Sequence, residues 1–128
     1  MQGPARSGVL IYAKQIDEVS EFYSQVLDLR CVHADAEHHV LHSEDVRLII
    51  QAIPASIADS IEIAVPPKPR EEQAIKPFFT VDNLAEAERI VVKSGGAVCG
   101  PVWPGPGFRA RNVCDPEGNI IHLREFSK

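Results

Sequence analysis

Asp115-Pro116-Glu117-Gly118-Asn119-Ile120-Ile121-His122-Leu123 is the stretch on which the fold of this chain turns. Asp and Asn side chains hydrogen-bond their own backbone, Pro pre-sets φ, and Gly accepts φ > 0, so Asp-Pro-Glu-Gly-Asn spells a tight turn. The turn feeds an apolar run with one histidine in its middle, which predicts a strand over residues 119–126. The residues ahead of it, 108–114, are also β-prone, so the turn closes a pair of strands. A histidine carried by such a strand sits on a rigid element, and its unperturbed pKa of about 6.5 suits it to act as a general base.

Working backward, residues 77–81 are β-prone, and Leu84, Ala87, Ile90 and Val91 recur at helical spacing. Asn83 is placed to cap that helix, with Glu86 three residues on, and Gly95-Gly96 to stop it. A β run at 97–99 follows. The first half repeats the pattern: a β run at 9–13, helical spacing through Ile16, Val19, Phe22, Tyr23 and Val26, and a β run at 29–33. A constant offset of 68 residues maps Ala13 onto Val81, Ile16 onto Leu84, Phe22 onto Ile90 and Cys31 onto Cys99. Residues 37–43 and 46–53 then form two β runs joined at Glu44-Asp45. Each half reads β-α-β-β-β, the signature of an internal duplication.

Residues 54–75 join the halves. Pro66-Pro67-Lys68-Pro69-Arg70 within them predicts an extended, polyproline-like connector. Residues 101–107, Pro-Val-Trp-Pro-Gly-Pro-Gly, predict a stiff loop that carries Trp103. A four-stranded unit with one helix leaves one sheet face bare, and two bare faces brought together would enclose a cavity of the kind small ligands use.

The chain has 128 residues, 45% of them hydrophobic, with a net charge of −5 and a pI near 5.5. That suffices for one domain with a core. It lacks the basic patch that nucleic acid requires, so DNA and RNA are not expected partners. Residues 1–8 lack the apolar stretch of a signal peptide, and no segment has the length of a membrane span, so no membrane partner is expected. Cys31, Cys99 and Cys114 are odd in number with no Cys-x-x-Cys spacing, which predicts reduced thiols in a cytoplasmic protein.

The two βαβββ halves, the helix carrying Phe22-Tyr23 with Leu27-Asp28-Leu29 after it, and Asp115-Pro116-Glu117-Gly118-Asn119 before the last strand together resemble the vicinal oxygen chelate superfamily. That group includes glyoxalase I, bleomycin-resistance proteins, fosfomycin-resistance enzymes and extradiol dioxygenases. The resemblance covers residues 9–126. It implies an α+β fold in one domain, 1–128, made of module one (8–53), a connector (54–75) and module two (76–126). It also implies a ligand cavity and a homodimer that exchanges halves, for which the stiff connector is suited.

In the metal-dependent members of that superfamily, ligands come from the first and last strands of each half. Those positions fall on Gly8, Lys76, His122 and either Ile49 or Gln51. Only His122 is a competent metal ligand, whereas a catalytic site needs three or more. The resemblance leaves a divalent metal open as cofactor, and the donor count favours none. His33, His38, His39 and His42 crowd a short stretch, and His38 and His42 share a strand face that could rebuild a site with His122 if it looks into the cavity. The alternative is a polar strand at the sheet edge.

Candidate ligand-binding residues are Trp103 and Phe108 as aromatic walls, Arg109 and Arg111 as forks for an anionic group, and Gln51 and Lys76 from the strand positions just named. Surface ion pairs are the ordinary alternative for the two arginines. Three functions follow from these readings. The first is a metal-free small-molecule-binding protein of the bleomycin-resistance kind. The second is a divalent-metal-dependent glyoxalase-like lyase, isomerase or dioxygenase with an altered ligand set around His122. The third is a metal-free isomerase or lyase using His122 as base, with Arg109 or Lys76 stabilising an oxyanion. The first is favoured because Gly8 and Lys76 stand where ligands would be.

Overall fold

A computed structural model describes residues 5–127. The reading of residues 1–8 and the outer limits of the 1–128 domain fall in part on Met1–Pro4 and Lys128, which lie outside the described residues. The chain divides into two compact units, Met1–Glu62 and Ile63–Lys128, with the boundary inside the segment expected as a connector.

The first unit runs β1 (Gly8–Ala13), α1 (Ile16–Leu27), β2 (Arg30–Ala34), β3 (His38–His42), β4 (Arg47–Ala52) and a short helix α2 (Ala55–Ala58). Its sheet has the order β1-β4-β3-β2, with β1 parallel to β4 and the other pairs antiparallel. Along β1 exposure alternates residue by residue, with Val9, Ile11 and Ala13 turned inward and Gly8, Leu10 and Tyr12 outward. Helix α1 covers the inward face. Its Val19, Phe22 and Tyr23 are fully buried, as are Ala13, Leu41, Leu48 and Ile50 of the sheet. Burying each large side chain contributes about 1.5–3 kcal/mol. Phe22 and Tyr23 meet edge to face at 5.0 Å. The helix ends at Asp28, whose left-handed backbone (φ 53°, ψ 50°) turns the chain so that the Leu29 N–H donates to the Ser24 carbonyl at 3.1 Å.

The second unit runs β5 (Phe78–Thr80), α3 (Leu84–Lys93), β6 (Ala97–Val98), β7 (Trp103–Gly105), β8 (Phe108–Cys114) and β9 (Ile120–Phe126). The strand order β5-β9-β8-β6, with β5 parallel to β9, repeats that of the first sheet. Both longer helices begin at the equivalent positions Ile16 and Leu84, as the offset of 68 requires. Asn83 caps α3 as expected, its side chain accepting the Glu86 N–H at 2.9 Å. Gly95 follows the helix at φ 90°. The mixed α+β architecture of two βαβββ modules is therefore present.

One expectation changes. Residues 101–107 are not only loop, because Trp103–Gly105 pairs with β8 as the strand β7. Pro106-Gly107 closes that hairpin, with Gly107 at φ 75°. Pro101, which lacks an N–H, lies in the gap that splits the counterpart of β2 into the two short pieces β6 and β7. The joining segment 54–75 opens with α2, ahead of the proline-rich stretch, where the Pro54 carbonyl accepts from the Ile57 and Ala58 N–H groups.

The Asp115 turn is the most tightly bonded piece of the second unit. Asp115 is fully buried. Its Oδ1 accepts the N–H groups of Glu117 (2.8 Å) and Asn119 (3.1 Å), and its Oδ2 accepts the Asn119 amide at 2.9 Å. The segment after α2 is strapped onto this turn. Arg70 N–H donates to the Gly118 carbonyl, and Arg70 Nε to the Glu117 carbonyl. The Gln73 amide brackets Ile120, accepting its N–H and donating to its carbonyl, both at 2.8 Å. Gly118 stands at φ 88°, and a Cβ there would meet the Lys68 carbonyl oxygen at 2.2 Å. Gly118→Ala is therefore expected to cost about 1–3 kcal/mol, from left-handed backbone and displacement of the strap together. Urea denaturation checks this, and an unchanged midpoint would contradict it.

Candidate functional site

Which way the strands of the second unit face follows from their contacts with α3. Arg111 Nη1 reaches Glu88 of α3 at 3.3 Å, and Glu125 Oε1 accepts the Leu84 N–H at the helix start at 2.8 Å. Alternation then puts Arg109, Arg111 and Val113 of β8, with Ile121, Leu123 and Glu125 of β9, beneath the helix. Phe108, Ala110, Asn112 and Cys114, with Ile120, His122, Arg124 and Phe126, occupy the opposite, open face.

His122 stands at the centre of that open face, opposite Phe78 on one side and Asn112 on the other. It is 9% exposed. The Trp103 ring meets its imidazole edge-on at 5.1 Å, and the Phe108 ring lies 6.2 Å away. Trp103 and Phe108 meet each other at 6.0 Å. The Arg124 guanidinium is held between two rings, 4.3 Å from the centroid of Phe78 and 4.2 Å from that of Phe108. One of its terminal nitrogens approaches His122 Nε2 at 3.5 Å. Arg can only donate, so this contact uses the Nε2 lone pair.

Two polar atoms here are buried without a protein partner: Asn112 Oδ1 and Arg124 Nε. A buried, unpaired polar atom costs about 1–3 kcal/mol. The pair offers one acceptor and one donor next to His122, Asn112 on the neighbouring strand and Arg124 two residues along its own. Burial, then the positive charges of Arg124 and Lys76, lower the pKa of His122 below the usual imidazole range. The ring is thus neutral near pH 7 and able to accept a proton. Cys114 shares this face, but burial pushes its thiol up to about 12, which keeps it protonated and a poor nucleophile.

The sequence-derived residues fall into three groups. Trp103, Phe108 and His122 come together on the open face, and the exposed Lys76 bears on His122 through its charge. Arg109 and Arg111 lie on the helix side instead. Arg109 Nε donates to Glu125 at 3.0 Å, and Arg111 Nε to the Gly100 carbonyl at 2.6 Å. Gln51 belongs to the first unit, where its amide donates to the Glu37 carbonyl at 3.2 Å. Arg124 and Asn112 are the functional candidates that the sequence reading missed. The period-2 pattern His122, Arg124, Phe126 carried the signal for Arg124; Asn112 is found only through its register with His122.

The histidines of the first unit separate by face. His39 turns toward α1, 3.4 Å from Asp17. His38 and His42 lie on the face away from the helix, with Ile49 and Gln51.

The positions to which the resemblance assigns metal ligands are Gly8, Lys76, His122 and either Ile49 or Gln51. Gly8 has no side chain, and a Cβ built there would strike the Arg47 carbonyl oxygen at 2.4 Å. Ile49 offers no donor atom, Gln51 is engaged with Glu37, and Lys76 is a poor ligand while protonated.

A glyoxalase-type arrangement is thus defined by the repeated βαβββ units with a histidine-centred open face. The glyoxalase-like domain family matches residues 8–124, and the chain belongs to that family. No curated protein matches it. Among solved structures, it is similar to a glyoxalase/bleomycin resistance protein/dioxygenase family enzyme from Burkholderia phytofirmans PsJN. That similarity has a TM-score of 0.73 and 16% identity, over 96% of this chain and 99% of that one. It is also similar to the fosfomycin resistance protein FosX from Mesorhizobium loti (TM-score 0.63, 15% identity, 99% and 94% covered). The FosX of Listeria monocytogenes gives a TM-score of 0.67 at 12% identity, over 94% and 92%. At these identities the likeness shows the fold.

The lowered pKa of His122 sets a pH dependence. The folded ring binds its proton less readily than the unfolded one, so below about pH 6.5 the unfolded state takes up more protons and stability falls with pH. In an NMR titration the His122 ring signal is expected to reach its midpoint below that of an ordinary histidine. A midpoint at or above the ordinary value would contradict the burial and charge argument.

Proposed function

We propose that this protein binds a small molecule bearing an anionic and an aromatic or planar group on the open face of the second unit, without requiring a metal. The observation that carries the reading is the Arg124 guanidinium, held between Phe78 and Phe108 with its Nε buried and unpaired, beside His122 and Trp103. Arg124 offers a directed cation, Asn112 Oδ1 an acceptor, and Trp103 a ring that is 39% exposed and available for stacking. The reading places the chain with the bleomycin-resistance branch of its fold. It includes both units working as one domain, a homodimer, and a cytoplasmic setting, which the three free cysteines support.

A second reading has an observation of its own. His122 is held neutral beside two cations, the condition for a general base next to groups that stabilise a developing oxyanion. A bound ligand that is turned over, with loss of turnover in His122→Gln but retained binding, would make the protein a metal-free isomerase or lyase. The metal-dependent lyase or dioxygenase reading draws its support from the superfamily alone.

Trp103 is the only tryptophan, so its emission reports on this face. Titration with aromatic carboxylates and phosphonates is expected to change that emission saturably for at least one of them. Arg124→Leu should weaken binding about tenfold or more, or about 1.4 kcal/mol. Elemental mass spectrometry of untagged protein should find no stoichiometric metal that is lost in His122→Ala. Binding indifferent to Arg124→Leu, or a His122-dependent metal, would overturn the proposal.

A further inference from the structure

The β2–β3 hairpin of the first unit lies outside the face just described. Its pairing begins regularly, Arg30 opposite His42 and Cys31 opposite Leu41, then slips by one residue so that His33 stands opposite Val40. The extra residue is Val32. Without this bulge His33 would face His39, on the side that meets α1. With it, His33 turns to the other side and joins His38, their rings stacked at 4.7 Å with 29° between planes. Bulges of this kind re-aim a side chain and often adjoin functional sites.

Asp35 contacts both imidazoles. Its Oδ2 lies 2.7 Å from His33 Nε2, and its Oδ1 lies 3.4 Å from His38 Nδ1. That Oδ1 also accepts the N–H groups of Glu37 and His38, each at 2.8 Å, so the carboxylate is fixed before any ligand arrives. The three side chains offer one donor atom each, all within 4.8 Å of one another. They form the only such group among the described residues. Two imidazoles and a carboxylate suit zinc-class ions, whose bonds of about 2.0–2.1 Å hold donors roughly 3.3 Å apart in a tetrahedron.

We propose that His33, Asp35 and His38 form a binding site for one divalent ion of the zinc–nickel class at this hairpin. The ion takes the place of the direct contact between His33 Nε2 and Asp35 Oδ2. Water completes its coordination, because the side chains of His33 and Asp35 are close to half exposed. The site uses none of Gly8, Ile49, Lys76 and His122. Gln51 stands opposite His38, but its amide is engaged with the Glu37 carbonyl.

The test is a calorimetric titration of the full, untagged chain with Zn²⁺, repeated on single variants. One equivalent is expected to bind, with affinity reduced about tenfold or more in His33→Ala and in His38→Ala. His39→Ala and His122→Ala should bind as the parent does. The ring signals of His33 and His38 should shift together in NMR at one equivalent of Zn²⁺, with the circular dichroism of every variant unchanged. Absence of binding at millimolar Zn²⁺, binding unaffected by His33→Ala, or binding lost in His122→Ala would each overturn the proposal. None of these results depends on whether the open face of the second unit binds a ligand.

Discussion

The buried carboxylate of Asp115 organises the second unit. It accepts three hydrogen bonds from the turn that follows it, so the chain reverses within five residues and β9 returns in one register against β8. Side chains alternate along a strand, so a slip of one residue would send His122 and Arg124 beneath α3 and bring Leu123 and Glu125 to the open face. The same turn receives the strap from Arg70 and Gln73, which ties the end of the connecting segment to the start of β9. The composition of the open face depends on this one turn.

That face and the one behind it divide the polar residues by role. On the helix side Arg109, Arg111, Glu88 and Glu125 pair with one another and with backbone groups. On the open side Asn112 Oδ1 and Arg124 Nε are buried and unpaired. Helix-side polar groups find partners on α3, on the neighbouring strand and at the Gly100 carbonyl. The open side has no helix, so its polar groups keep capacity for something that is not part of this unit. The proposed function accordingly rests on the face that folding leaves uncommitted.

The hairpin of the first unit shows the same economy on a smaller scale. A single inserted residue, Val32, moves His33 from one side of the sheet to the other. Asp35 then serves two purposes: it closes the turn through backbone N–H groups and holds both imidazoles.

The fold was largely legible in the amino-acid sequence. The offset of 68, the cap at Asn83 and the Asp-Pro-Glu-Gly-Asn turn are local features, and local features act through backbone preferences that need no partner. The aromatic and imidazole members of the candidate site, Trp103, Phe108 and His122, were legible because few residue types do their chemistry. What tertiary structure decided was direction. Arg109 and Arg111 share a face by spacing alone, but only the position of α3 shows that it is the helix face. Arg124 reads as an ordinary strand arginine until Phe78 and Phe108 close on it from neighbouring strands, and His33 reads as one of four crowded histidines until a bulge turns it. Period and residue type are written into the chain; which side of a sheet is covered, and where a strand slips, are set by packing between segments distant in sequence.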